Sequence, residues 1–214
     1  MSFLMKLQEE GRRAKSTLKK TNTVVTDTSG RKLDSETGSY EVVLGFVEDT
    51  CPDPGVYECA NNVYIGSQDA ALNWDGMEVP RKKSNVDKNY FPGMKEIGIT
   101  HVLNLFSAER PFENQDVVYM NHTLMDIPEQ KLLDTLDVPL QFIEKILAED
   151  GKVLVHCNAG VSRSAAIIIA HLIKHQRMSY DSALERIRHH RPSAKPNAGF
   201  EQQLRQFETD ILNP

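Results

Sequence analysis

A chain of 214 residues is long enough for one enzyme-sized core and an appendage. Its apolar content of 40% and charged content of 26% are ordinary for a soluble globular protein. The net charge of −5 argues against nucleic acid as a main partner, because such binders usually carry a basic field.

Cys51, Cys59 and Cys157 form an odd set with no disulfide framework, and the spacing of the first two fits no zinc site. That suits a reducing compartment, where a thiol survives for chemistry. The amino-terminal residues lack the unbroken apolar stretch of a signal peptide. The longest apolar run, Ala165–Ala170, is far short of a bilayer span. Ser2 stands where myristoylation needs glycine. The expectation is a cytoplasmic protein, with the nucleus also open to it, and no stable membrane insertion.

In chain order, residues 1–54 read as an extension of the main domain. Six Lys/Arg against two Glu in residues 1–20 describe a basic amphipathic helix, a solvated arm or a contact for an acidic surface. Val24–Thr26 and Arg31–Leu33 flank Asp27-Thr28-Ser29-Gly30 and suggest a small hairpin. The Pro/Gly-containing stretch 49–55 reads as a linker, which places a catalytic domain at 55–212. Within it, Val56–Glu58 and Val63–Ile65 are short strands, and Ser67 caps a helix. Residues 78–90, with Pro80 and several lysines, read as a polar surface insertion, partner recognition being the sharper alternative. His101–Leu105 and Val117–Tyr119 are strands. Asp137 is placed as the cap of a helix carrying Pro139 in its first turn and a stripe of Leu140, Ile143 and Leu147. Lys152–His156 is an apolar, β-branched strand of the kind buried in a parallel sheet. A helix apolar nearly all round begins at Arg163. Two more begin near Ser179 and Asn197, the last with Phe200, Leu204, Phe207 and Ile211 on one face. Alternating strands and helices imply an α/β fold, a central twisted, mostly parallel sheet flanked by helices.

The chemistry concentrates in His156-Cys157-Asn158-Ala159-Gly160-Val161-Ser162-Arg163-Ser164. A buried strand ends at a cysteine, a five-residue loop follows, and a buried helix starts at an arginine. That geometry aims the loop's backbone N–H groups, from Asn158 to Ser162, and the positive end of the helix at one point, a seat for a tetrahedral oxyanion. Gly160 permits a backbone conformation that a side chain would obstruct. Arg163 can grip two phosphate oxygens as a bidentate fork. The same surroundings favour the Cys157 thiolate, the nucleophilic form, and the Ser164 hydroxyl can stabilise that thiolate as a leaving group. Most free cysteines are small buried hydrophobes. Against that reading, this joint pattern arises by chance on the order of once in ten million start positions. A departing alkoxide also needs a proton. Asp126, on a loop after a strand, is a candidate acid, alongside Glu129, Asp134 and Asp137; Asp137 is better spent as a helix cap.

These residues resemble the dual-specificity phosphatases of the protein tyrosine phosphatase superfamily. The match rests on His156-Cys157-x-x-Gly160-x-x-Arg163-Ser164, on Asp126 placed 31 residues before the cysteine, and on Arg191-Pro192-x-x-x-Pro196-Asn197-x-Gly199-Phe200. The resemblance implies the dual-specificity phosphatase fold and a phosphocysteine at Cys157. It implies Asp126 as acid and then base, Asn197 capping the last helix near the phosphate loop, and no metal or other cofactor. It implies phosphoprotein substrates carrying phosphotyrosine and phosphoserine or phosphothreonine, with kinases of the MAP kinase pathway among the partners. Rivals are a phosphoprotein-binding scaffold, a phosphoinositide or RNA phosphatase, and a rhodanese or arsenate reductase. The neutral loop positions Asn158, Ala159, Val161 and Ser162 disfavour the more highly charged substrates.

Overall fold

The computed structural model describes residues 31–33, 40–42, 53–81, 84–106 and 116–213. The basic helix expected over residues 2–18 and the strand expected at Val24–Thr26 lie outside them. The chain divides into two units, 1–43 and 44–214. In the first, β1 (Arg31–Leu33), expected as a strand, pairs antiparallel with β2 (Tyr40–Val42).

In the second unit, β3 (Tyr57–Ala60), β4 (Val63–Gly66), β7 (His101–Asn104), β8 (Val118–Asn121) and β9 (Val153–His156) form a five-stranded sheet of order β3-β4-β9-β7-β8. Only β3 runs antiparallel to its neighbour. Val63-Tyr64-Ile65-Gly66 and Val153-Leu154-Val155-His156 are buried throughout, the pattern of strands covered on both faces. Side chains alternate across a strand, so neighbouring residues serve different cores. Val63, Ile65, Leu103, Val153 and Val155 enter the larger core, which also holds Leu140, Ile143, Ile168, Ile187, Phe200 and Leu204. Tyr64, Val102 and Leu154 enter the smaller one, with Ala71, Met94 and Ile99.

Helices α1 (Gln68–Leu72) and α2 (Met94–Ile97) supply residues to the smaller core; α3 (Asp137–Ala148), α4 (Arg163–Gln176), α5 (Tyr180–His190) and α6 (Ala198–Leu212) supply the larger. Ser67 and Asn197 cap their helices as foreseen, and Ser179 caps a third: they accept hydrogen bonds from the amides of Ala70, Phe200 and Ser182 respectively. Asp137 does not cap α3. A 3₁₀ turn at Leu133–Thr135 runs into the helix, Leu136 is already helical, and Asp137 becomes the first helical residue. There its charge still complements the helix dipole.

The stretch read as a polar insertion is a two-stranded ribbon of β5 (Met77–Arg81) and β6 (Ser84–Phe91), with a register shift between Pro80 and Arg81. Pro80 had argued for a loop. In a two-stranded ribbon, however, each strand has an outer edge where a missing N–H costs nothing.

Candidate active site

The loop after β9 links the central strand to α4. The carbonyl of Asn158 accepts from the Gln68 amide at 2.8 Å, and that of Val161 from the Lys195 amide at 2.8 Å. Between them, Arg191 donates through its η2 nitrogen to the Ala159 carbonyl at 2.7 Å and through Nε to the Gly160 carbonyl at 2.6 Å. In a trans peptide the N–H lies opposite the C=O. Four consecutive carbonyls held from outside therefore turn the amides of Ala159, Gly160, Val161 and Ser162 to the other side. Converging amides form a nest for an anion.

Gly160 has φ +63°, in the left-handed region. A Cβ there would sit 2.5 Å from the Gly66 carbonyl oxygen and 2.9 Å from the Arg191 guanidinium. Dihedral and space both require glycine. Ser162 occupies the cap position of α4 but makes no side-chain capping bond. Its hydroxyl instead donates to Asp126 Oδ1 at 2.6 Å and accepts from the Asn197 amide at 3.1 Å.

The four residues expected to do the chemistry form two contacting pairs, Cys157 with Ser164 and Asp126 with Arg163. Cys157 Sγ lies 3.4 Å from Ser164 Oγ, and Ser164 is fully buried. Asp126 Oδ1 also accepts from Asn197 Nδ2 at 2.9 Å, and its Oδ2 lies 3.6 Å from Arg163 Nε. At that length the last contact is an ion pair, and Arg163 Nε has no hydrogen-bond partner among the described residues. The guanidinium is oriented by the Leu124 carbonyl, 3.2 Å from its η1 nitrogen, and by the Phe106 ring, 5.5 Å from centroid to Cζ. Glu129 and Asp134 are exposed. The sulfur is less open than a nucleophile on a loop suggests, since Cys157 is 1% exposed.

Beside it, His156 is buried with Nδ1 3.2 Å from the Cys157 carbonyl. Burial lowers its imidazole to about 4, so it is neutral near pH 7. Burial pushes the Cys59 thiol up to about 12, which leaves it inert at neutral pH. Cys51 lies outside the described residues.

In the sequence Arg191 stands out only as a member of the downstream tract, and nothing marks Lys195, Gln68 or Asp53 for the site. The one local signal was Arg191 itself, followed by proline at a helix end. The described residues contain no cluster of three or more His, Cys, Asp or Glu able to hold a metal ion, and no helix among them is long and apolar enough to cross a membrane.

The profile of the family described as "Dual specificity phosphatase, catalytic domain" matches residues 83–210. The chain belongs to that family, and it carries the catalytic domain of a dual specificity protein phosphatase. Mouse dual specificity protein phosphatase 19 is 33% identical over 207 residues, covering 91% of this chain and 86% of that protein. A probable dual specificity protein phosphatase of Dictyostelium discoideum is 33% identical over 230 residues, covering 92% and 95%. Among solved structures, human DUSP28 superposes with a TM-score of 0.61 at 26% identity, covering 75% of this chain and 97% of that one. The human tyrosine phosphatase-like serine/threonine/tyrosine-interacting protein gives a TM-score of 0.60 at 28% identity, covering 75% and 99%.

Proposed function

We propose that the protein removes phosphate from phosphotyrosine and from phosphoserine or phosphothreonine of protein substrates through a phosphocysteine intermediate. The observation that carries this reading is the set of four outward-held carbonyls from Asn158 to Val161, whose peptides turn their amides inward beside Cys157 and Arg163.

The amides from Ala159 to Ser162 and the Arg163 fork hold the phosphoryl oxygens. The Cys157 thiolate attacks phosphorus, the bond to the substrate oxygen breaks, and that oxygen takes the proton of Asp126. The Asp126 carboxylate then takes a proton from water, the hydroxide attacks phosphorus, and the S–P bond breaks. Ser164 donates its hydroxyl to the departing thiolate, 3.4 Å away.

A place in MAP kinase signalling is part of the proposal. It is supported by similarity to MAP kinase phosphatase with leucine-rich repeats protein 3 of Dictyostelium discoideum, 35% identical over 131 residues, although only 15% of that protein is covered. A cytoplasmic or nuclear location is supported by the free thiols of Cys59 and Cys157, and imaging of the tagged full chain in cells checks it.

The experiment compares hydrolysis of an aryl phosphate by wild type and Cys157→Ser, and captures phosphoproteins from lysate with an Asp126→Ala, Cys157→Ser variant. Turnover unaffected by Cys157→Ser would end the mechanism. Capture of phospholipid or RNA alone would end the protein-substrate reading, and capture without kinases would remove the signalling role.

A further inference from the structure

Arg191 is 3% exposed, and its third donor is not spent on the phosphate loop. While Nε and the η2 nitrogen hold the Gly160 and Ala159 carbonyls, the η1 nitrogen donates to Asp53 Oδ2 at 2.8 Å. Asp53 is itself fixed on several sides. Its Oδ1 accepts from the Gly55 amide and the Tyr57 hydroxyl, each at 3.2 Å. Its carbonyl accepts from Ser67 Oγ at 2.7 Å, and its amide donates to Asp69 Oδ2 at 3.1 Å. The Tyr57 ring lies 5.5 Å from the Arg191 Cζ and closes the guanidinium from one face.

The arrangement has a mechanical meaning. A guanidinium is a rigid planar fork, so fixing one donor fixes the direction of the others. With Asp53 in place, the remaining donors land on two successive loop carbonyls. Without a carboxylate, a buried cation reorients toward water or another acceptor, because leaving it unpaired in the interior is costly. The Ala159 and Gly160 carbonyls then lose their anchor, and the amides of Gly160 and Val161 are free to turn out of the cradle. A charged group outside the loop, earlier in the chain than every strand of the main sheet, would thus set the shape of the phosphate seat.

We infer that Asp53 is a positioning residue for the phosphate loop, acting through Arg191. The last residues of the segment that composition assigns to a linker would thereby belong to the working site. The inference rests on the phosphatase reading for its consequence in catalysis, but the shape of an anion seat can be measured without turnover.

The test uses the full chain and two variants. Asp53→Asn keeps an oxygen for the Gly55 amide and the Tyr57 hydroxyl while removing the carboxylate from Arg191. Tyr57→Phe removes a hydrogen bond from the same aspartate and leaves the Asp53–Arg191 pair. Calorimetry with inorganic phosphate reads the seat, melting temperature reads the scaffold, and KM against kcat for an aryl phosphate reads the reaction. Asp53→Asn is expected to weaken phosphate binding about tenfold, the order that one charge-assisted hydrogen bond carries, and to raise KM in parallel. Tyr57→Phe is expected to keep phosphate binding within about twofold of wild type while its melting temperature falls slightly. Unchanged phosphate binding in Asp53→Asn overturns the inference. So does an equal loss in Tyr57→Phe, which would make Asp53 merely part of a local turn. A wild type that binds phosphate without hydrolysing the aryl ester would instead overturn the proposed function, and the phosphate affinities would still judge Asp53.

Discussion

Replacing Gly160 by alanine tests the cradle at its tightest point. Alanine at φ +63° meets the steric penalty of the left-handed region, about 1–2 kcal/mol. The added Cβ would stand 2.5 Å from the Gly66 oxygen, where ordinary contacts begin at 3.4 Å, so a separation of about 0.9 Å (3.4 − 2.5) must be recovered. Gly66 ends β4, which is paired along its length with β9, and the Arg191 guanidinium approaches from another side at 2.9 Å. Neither neighbour moves freely, and overpacking of this kind costs about 1–3 kcal/mol. Together the two effects come to roughly 2–5 kcal/mol, or a fall of about 4–20 °C in melting temperature for a domain of this size. The loop is also the oxyanion seat, and displacement by about 1 Å there lowers kcat/KM for an aryl phosphate about 100-fold. Calorimetric melting and initial-rate assays on Gly160→Ala measure both effects. A variant melting within about 2 °C of wild type and retaining a third of its kcat/KM would show that the contacts around Gly160 do not shape the seat.

Ser162→Ala removes the hydroxyl that docks Asp126, so kcat for an alkyl phosphate should fall about tenfold, with KM unchanged or lower; a rise in KM with constant kcat would mean that the hydroxyl binds substrate instead. Ser164→Ala should slow breakdown of the phosphocysteine by about tenfold and produce a burst of aryl alcohol in stopped-flow traces, and the absence of a burst would remove Ser164 from the second step. His171 is buried on α4, its Nδ1 lacks a hydrogen-bond partner among the described residues, and desolvation first, with His175 next, lowers its imidazole to about 4. Above pH 6.5 neither folded nor unfolded chain protonates this group. As pH falls from about 6.5 to about 4 the unfolded chain binds the proton first, so stability drops by about 1.4 kcal/mol per pH unit, and His171→Leu should flatten that slope in urea titrations. An unchanged slope would show that His171 is not buried neutral.

Substrate capture complements these tests because the loop chemistry does not specify the protein that carries the phosphate. Asn158, Ala159, Val161 and Ser162 bring no charge to the seat, so selection among phosphoproteins must fall to surfaces away from it. The β5–β6 ribbon and the residues before Asp53 are the segments for which variants are most informative in such a capture.

What could be read along the chain was whatever depends on a few consecutive residues. Short runs rich in apolar and β-branched residues identified β4, β7 and β9. The side-chain oxygen of Ser67 marked a helix start, apolar periodicity placed helices beginning near Ser179 and Asn197, and five residues between Cys157 and Arg163 defined a loop able to surround an anion. These are properties of local backbone geometry, and surrounding structure altered them only where it competed, as at Leu136, where a preceding 3₁₀ turn displaced Asp137 from the cap. Which distant group meets which could not be read this way. Arg191 lies 31 and 32 residues from the carbonyls it holds and 138 from Asp53, and Asp126 reaches Ser162 and Asn197 across 36 and 71 residues. Those pairings arise only when the strand order β3-β4-β9-β7-β8 brings the chain segments side by side, because a buried donor or charge takes its partner from whatever the fold places within reach.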